Sequence, residues 1–86
     1  MKICLFPGTF DPVTLGHKDI IDRALPLFDK VVIGIGSNMN KQPMFSEEQR
    51  LKWLKDMYRS NSKVDAVVYG GLTIECCKQV GAEYIL

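Results

Sequence analysis

The residues with the clearest chemical potential lie in one short stretch, G-T-F-D-P-V-T-L-G-H, which spans residues 8–17 and ends on the only histidine of the chain. The spacing of the apolar residues that follow predicts a helix whose first turn contains His17. Helix N-termini attract phosphate because their first N–H groups are unpaired, and glycine lets the backbone approach a ligand closely. An imidazole there can donate to a phosphate oxygen and stabilise charge that develops during group transfer. The stretch therefore predicts a phosphate-binding loop that ends on His17.

Position alone leaves two interpretations of His17 open, because a histidine that only packs beneath the loop or caps the helix has the same sequence context. The loop matches neither G-x-x-x-x-G-K-[ST] nor G-x-G-x-x-G, so neither nucleotide fingerprint decides between them. We expect the helix N-terminus to lower the pKa of His17, because positive charge is disfavoured at that end. Asp11 is expected to shape the loop, for example through an Asx turn, rather than to take part in chemistry.

The elements that must position this loop alternate along the chain. Apolar runs predict strands, and apolar residues at spacings of three and four predict helices between them. The predicted strands are residues 2–6, 31–35, 64–68 and 83–86, and the predicted helices are residues 15–25, a segment capped by Ser46, and residues 73–80. Ser46 and Gln49 have the spacing of a capping box.

The order β-α-β-α-β-α-β, with connections too long for hairpins, predicts a Rossmann-like α/β fold with three layers and a parallel sheet. Ligands of such sheets bind beyond the carboxyl ends of the strands, where residues 8–17 would lie. We expect residues 1–86 to form one domain that is incomplete at the C-terminus, because no helix follows the last predicted strand.

The composition is that of an ordinary globular chain. Hydrophobic residues make up 47% and charged residues 24% of its 86 residues. The net charge of +1 predicts no nucleic-acid or membrane-surface binding, and no apolar run approaches the ~20 residues of a membrane span. Cys4, Cys76 and Cys77 fit neither a disulfide framework nor a zinc site, which favours reduced and mostly buried thiols in the cytoplasm. Of the adjacent pair Cys76 and Cys77, we expect at most one to be buried.

Two motifs in the chain resemble those of a known family. Residues 8–17 are similar to G-x-F-x-P-x-H-x-G-H, the signature of the H-x-G-H nucleotidyltransferase superfamily, with Thr14 in place of the first histidine. This T-x-G-H form resembles the phosphopantetheine adenylyltransferases. The stretch N-K-Q-P-M-F-S-E-E-Q-R at residues 40–50 also resembles that family's K-x-P-x-F…E-E-R segment.

The resemblance implies an enzyme of coenzyme A biosynthesis that joins ATP to 4′-phosphopantetheine, with Mg²⁺, and gives dephospho-coenzyme A and pyrophosphate. The pantetheine phosphate would attack the α-phosphate of ATP in line, so that positioning and charge stabilisation would carry the catalysis. It also implies a homo-oligomer, which is a hexamer in the family. We identify no metal-ligating side chain in the sequence.

The resemblance assigns the catalytic roles to His17 and Lys41. His17 would contact the ATP phosphates and stabilise the transition state, and Lys41 would bridge the phosphates of both substrates as a mobile point charge. Thr9 would bind ATP and orient the attacking phosphate, and Phe10 would offer backbone contacts to the nucleotide. Thr73 would hold the pantetheine arm through its backbone, with apolar contact from Leu72, although Thr73 fits a helix cap equally well.

The chain departs from the family in length, because members run to about 150 residues, the size of an ordinary domain. The family's later R-G-x-R and I-S-S-T-x-x-R segments, whose arginines would bind substrate phosphates, have no counterpart in the sequence. Two alternatives therefore stay open. One is another nucleotidyltransferase of the superfamily, such as a cytidylyltransferase or a nicotinamide mononucleotide adenylyltransferase, which Thr14 and residues 41–45 disfavour. The other is a truncated, catalytically incomplete nucleotide-binding fragment.

Overall fold

The computed structural model describes residues 1–37 and 42–86, in which strands and helices alternate as the sequence predicts. The elements are the strands β1 (Ile3–Gly8), β2 (Lys30–Gly36), β3 (Val64–Tyr69) and β4 (Tyr84–Ile85), and the helices α1 (Leu15–Ala24), α2 (Glu47–Met57) and α3 (Thr73–Val80). A 3₁₀ turn, Leu25–Leu27, follows α1. These bounds agree closely with the predicted ones, and the main difference is that β1 continues through Pro7 and Gly8.

The strands of the described chain form one parallel sheet in the order β3-β2-β1-β4. The predicted Rossmann-like α/β fold is therefore confirmed. From β1 the chain moves outward in one direction to β2 and β3, and then returns across the sheet to place β4 on the other side of β1. Because the strand order reverses beside β1, its carboxyl end is the switch point where sheets of this kind bind ligands.

Two apolar clusters cover the two faces of the sheet. The larger lies beneath α1 and α2 and is built on Cys4, Val31, Ile33, Ile35 and Ala66 of the strands, with Ile21, Ala24, Leu54 and Tyr58 of the helices. The smaller lies beneath α3 and contains Leu5, Val32, Tyr69, Cys76 and Cys77. The two central strands, β1 and β2, are thus apolar on both faces, which is the pattern of a buried parallel sheet.

The expectation that at most one of Cys76 and Cys77 is buried is wrong. Both side chains are buried, because α3 packs over β1 and β2 and both cysteines lie on its sheet-facing side. Cys4 is buried on the opposite face, and all three cysteines are free thiols, as the sequence predicts. Burial raises the pKa of Cys4 and of Cys76, which keeps both thiols protonated and unreactive.

Pro7 is tolerated inside β1 because of where its missing N–H falls. The carbonyls of Ile3 and Leu5 accept hydrogen bonds from the β4 side, from Glu83 and Leu86. Since bonding direction alternates along a strand, the nitrogen of Pro7 also faces that side, beyond the register in which β4 pairs with β1. The ladder between β1 and β2 therefore loses no bond at Pro7, and β1 continues two residues farther toward the loop.

Gly34 in β2 makes the close packing beneath α3 possible. A Cβ at this position would lie 3.0 Å from Cδ1 of Leu5 and 3.0 Å from Cε1 of Tyr69, both of which are buried. We predict that Gly34→Ala lowers the free energy of unfolding by about 1–3 kcal/mol, the usual effect of overpacking a core. Urea denaturation measures the change.

Gly16→Ala is the matched control for Gly34→Ala. A Cβ on Gly16 would lie 3.5 Å from Oγ1 of Thr14, which is an ordinary contact, and alanine suits a helix better than glycine. We expect this variant to be at least as stable as the wild type. A Gly34→Ala chain that unfolds at the wild-type urea concentration would contradict the prediction.

Candidate active site

The loop between β1 and α1 is organised around the side chain of Phe10. Its ring is almost completely buried and lies 5.3 Å from the Phe6 ring and 4.7 Å from the imidazole of His17, centroid to centroid. Gly8 makes room for it, because a Cβ on Gly8 would lie only 2.9 Å from Cε2 of Phe10. The Phe10 ring therefore supports His17 from below, a role that the sequence does not predict.

His17 takes part in a capping box at the start of α1. The Thr14 backbone N–H donates to Nδ1 of His17 at 2.9 Å, and the His17 N–H donates to Oγ1 of Thr14 at 3.3 Å. His17 thus occupies the position where Glu or Gln is usual in such a box. Because Nδ1 accepts a hydrogen bond, the neutral ring carries its proton on Nε2, which bonds to no other described residue. The helix start therefore orients an N–H donor of the imidazole away from its anchor.

The pKa of His17 lies below its ordinary value of 6.5, and burial is the cause. The sequence predicts the direction of this shift but attributes it to the helix N-terminus. A proton on Nδ1 would also remove the acceptor that the Thr14 N–H requires. His17 is consequently neutral near pH 7, a donor through Nε2 without a charge of its own.

The N-terminus of α1 keeps its positive electrostatic potential, unlike the starts of the two other described α-helices. Glu47 and Glu48 lie in the first turn of α2, and Glu75 lies in the first turn of α3, whereas the first turn of α1 contains no acidic residue. Acidic residues in the first turn neutralise the helix dipole. Among the described α-helices, the N-terminus of α1 is therefore the best suited to bind an anion. At α2, Ser46 accepts from the Gln49 N–H as the predicted capping box requires, but no reciprocal bond between the Gln49 side chain and the Ser46 N–H is found among the described residues.

Arg50 on α2 is a site residue that sequence reasoning missed. Its side chain is buried, and Nη1 donates to the carbonyl of Thr9 at 2.8 Å. The two residues are 41 positions apart, so no local pattern reveals the contact. The only signal is the E-E-Q-R sequence within the second motif, which the family resemblance includes.

Asp11 has the structural role that the sequence predicts, but with other partners than an Asx turn would supply. Its carboxylate accepts from the backbone N–H groups of Met44 at 2.6 Å and Phe45 at 2.9 Å. The loop after β1 is therefore bonded to the segment that precedes α2.

Three of the residues proposed from the sequence come together. Thr9, Phe10 and His17 surround the carboxyl end of β1, and the Thr9 hydroxyl forms no hydrogen bond with another described residue. Lys41 lies outside the described residues.

Leu72 and Thr73 lie at the start of α3, which follows the carboxyl end of β3 and packs over β1 and β2. Leu72 is the N-cap and is exposed, and the Thr73 hydroxyl lies 2.9 Å from the hydroxyl of Tyr69. The side chain of Thr73 therefore does not cap α3. Its backbone lies in the first turn of that helix.

Metal-binding clusters and membrane-spanning helices are both absent from the described residues. Across residues 1–37 and 42–86, no three His, Cys, Asp or Glu side chains are close enough together to hold a metal ion. Within the same residues, none of the helices has the length and apolar character that crossing a membrane requires.

The sequence profile of the cytidylyltransferase-like family matches residues 5–86. This chain belongs to that family. Its sequence is 56% identical to the phosphopantetheine adenylyltransferase of Christiangramia forsetii and 49% identical to that of Flavobacterium psychrophilum, over all 86 residues in both cases. The chain spans 57% of the length of these two curated relatives. The resemblance carried by the two motifs is thereby confirmed.

Solved structures agree with the fold. The lipopolysaccharide core biosynthesis protein of Thermoplasma volcanium superposes over 99% of this chain and 72% of its own, with a TM-score of 0.74 at 24% identity. A bifunctional NMN adenylyltransferase/ADP ribose pyrophosphatase of Francisella tularensis, solved with AMP and a manganese ion, covers 92% of this chain and 25% of its own. Its TM-score is 0.58 at 30% identity.

The lowered pKa of His17 has a consequence for stability. Below pH 6.5 the unfolded chain binds a proton on this histidine before the folded chain does, so the stability that neutral His17 provides is lost as the pH falls. We predict that the free energy of unfolding rises with pH through this window and levels off above it. Nitrogen-15 NMR should show the proton of the neutral ring on Nε2.

His17→Gln is the control for this prediction, since glutamine can complete the capping box but does not titrate. The difference in stability between wild type and His17→Gln should depend on pH only below about 6.5. A His17 ring that titrates above its ordinary value, or carries its neutral proton on Nδ1, would contradict the assignment.

Proposed function

We propose that this chain provides the ATP-binding side of a phosphopantetheine adenylyltransferase, which joins ATP to 4′-phosphopantetheine and releases pyrophosphate. The observation that carries the proposal is the box between Thr14 and His17. It directs an imidazole N–H from the start of a helix that lacks an acidic first turn. The relatives support the choice of substrates, since three that are 48–56% identical to this chain bear this activity in their names.

In the proposed reaction an oxygen of the pantetheine phosphate attacks the α-phosphorus of ATP. The new bond joins that oxygen to phosphorus, and the bond from phosphorus to the bridging β-oxygen breaks, so that pyrophosphate leaves with the electron pair. His17 donates its Nε2–H to a phosphate oxygen on which negative charge increases. A donor fixed in place before the reaction stabilises that charge without reorganisation.

The other substrate contacts are proposed from the family resemblance. Thr9 orients the attacking phosphate through its hydroxyl, and the Phe10 N–H binds the nucleotide. Lys41 bridges the phosphates of both substrates. Leu72 and Thr73 hold the pantetheine arm, for which the exposed side chain of Leu72 and the first turn of α3 are available.

Magnesium is proposed to enter with the nucleotide rather than to occupy a cage of protein ligands. The described residues bring no three metal-binding side chains together, which does not fit a dedicated site. Mg²⁺ commonly retains several waters and binds through substrate phosphates with one or two carboxylates. The ion would neutralise phosphate charge, and the roles proposed for His17 and Thr9 do not depend on it.

The assembly and location are also proposals. We infer a cytoplasmic homo-oligomer, a hexamer as in the family, in which residues 1–86 belong to one nucleotidyltransferase domain. Buried free thiols are consistent with a reducing compartment.

A second candidate is a nucleotide-binding piece that lacks turnover. The chain spans 57% of the length of its relatives, so the remaining phosphate contacts of the full site could lie outside it. Such a piece would bind ATP at the α1 N-terminus without transferring the adenylyl group. An enzymatic alternative is a nicotinamide mononucleotide adenylyltransferase. Replacing 4′-phosphopantetheine with nicotinamide mononucleotide in the assay tests it.

We predict that the chain with ATP, Mg²⁺ and 4′-phosphopantetheine releases pyrophosphate, and that His17→Gln lowers kcat by about 10²–10³, the usual effect of losing a fixed donor in a transition state. Arg23→Gln is the control, because Arg23 lies on the same helix with an exposed side chain whose one ion pair among the described residues is with Asp19. It should react at the wild-type rate.

Each outcome separates the candidates. Release that requires phosphopantetheine, and that nicotinamide mononucleotide does not support, confirms the proposed function. Binding of ATP that weakens in His17→Gln, without any release, favours the nucleotide-binding piece. A His17→Gln chain that turns over at the wild-type rate would exclude the role assigned to His17.

A further inference from the structure

The guanidinium of Arg50 joins the loop after β1 to the start of α2. Besides the bond from Nη1 to the Thr9 carbonyl at 2.8 Å, its Nε donates to the carbonyl of Phe45 at 3.0 Å and to that of Ser46 at 3.3 Å. The side chain is only 3% exposed. A buried cation thus makes all its observed hydrogen bonds to backbone carbonyls.

These partners suggest a role in shaping the loop rather than in stabilising the fold. None of the ion pairs among the described residues includes Arg50, and its guanidinium is held by carbonyl oxygens instead. Burying a charge without a counter-ion is costly, and a hydrophobic side chain of similar size would usually serve stability better. The rigid fork of the guanidinium, in contrast, fixes the direction of the carbonyls that it binds.

The carbonyl of Thr9 belongs to the peptide whose N–H is that of Phe10. Because a trans peptide is planar, its C=O and N–H point in opposite directions, and fixing one fixes the other. The Phe10 N–H is therefore directed away from Arg50, and it bonds to no other residue that the structure describes.

Phe10 also has a strained backbone, with φ at +49°. Left-handed conformations are uncommon for bulky residues and persist only where the surroundings enforce them, which is typical of functional loops. Here the Phe10 ring is held against Phe6 and His17, and the preceding carbonyl is held by Arg50. The two hydrogen bonds that the Asp11 carboxylate accepts from the Met44 and Phe45 N–H groups hold the same loop against the segment before α2.

We propose that Arg50 is a positioning residue of the site. Through the Thr9 carbonyl it holds the Thr9–Phe10 peptide so that the Phe10 N–H is presented to a nucleotide phosphate beside His17. This inference rests on the proposed function for the identity of the ligand. The effect on the loop is independent of that function and can be measured without nucleotide.

The test compares wild type with Arg50→Lys and Arg50→Gln, with Arg59→Gln as the control because Arg59 is exposed near the end of α2. Nitrogen-15 relaxation gives the order parameter of the Phe10 amide, with the Ile33 amide of β2 as an internal reference. We expect the Phe10 value to fall from about 0.85 to below about 0.6 in both Arg50 variants while that of Ile33 stays unchanged. ATP binding should weaken by about 10- to 10²-fold, the usual effect of losing a hydrogen bond to a charged group, and remain at the wild-type level in Arg59→Gln.

A folded Arg50 variant in which the Phe10 amide stays rigid would overturn the proposal, because a merely structural arginine would alter stability alone. If neither variant folds, an ATP titration of the wild-type chain tests the proposal instead. ATP must then shift the Phe10 amide resonance, and a titration that shifts the amides of α1 but not that of Phe10 would contradict the inference. A wild-type chain that binds no ATP would refute the proposed function, while the relaxation data would still decide whether Arg50 fixes the loop.

Discussion

The hydrogen bond from the Thr14 backbone to Nδ1 of His17 sets the chemistry of the candidate site. It assigns the ring proton to Nε2, orients the imidazole, and places the donor at the start of a helix. A helix N-terminus alone attracts anions weakly, and a histidine alone has two tautomers and several rotamers. Combined in one capping box, they form a donor whose direction is fixed before any ligand arrives. The rest of the loop supports this arrangement.

That support comes from a packed ring and a buried cation. Gly8 leaves space for the Phe10 ring, and this ring packs against the imidazole of His17. Arg50 donates to the carbonyl of the peptide that joins Thr9 to Phe10. The parallel sheet places this assembly at the carboxyl end of β1, where the strand order reverses. Each contact constrains the next, so the position of the imidazole depends on residues from β1, α1 and α2 at once.

The fold could be predicted from the sequence because its signals are local. Runs such as V-V-I-G-I, apolar on both faces, and helices with apolar spacings of three and four identify a parallel α/β sheet without knowledge of tertiary contacts. The motif at residues 8–17 similarly predicted that Thr9 and His17 belong to the loop and helix start that follow β1. What the sequence could not supply depends on distant pairs. Arg50 donates to the backbone carbonyl of a residue 41 positions away. Because every residue has such a carbonyl, the sequence does not indicate which one is bonded. Cys76 and Cys77 are both buried because the face that α3 turns to β1 and β2 includes two adjacent positions, which helical spacing does not encode.

Whether Nε2 of His17 is aimed at nucleotide phosphate is tested most directly by a crystal structure of this chain with α,β-methylene-ATP, which cannot be cleaved at the α–β bond. We predict a phosphate oxygen within hydrogen-bond distance of Nε2 of His17, at the N-terminus of α1. A triphosphate bound elsewhere would contradict it, for example at the opposite edge of the sheet between Lys55 and Arg59. So would a complex in which His17 has left its bond with Thr14.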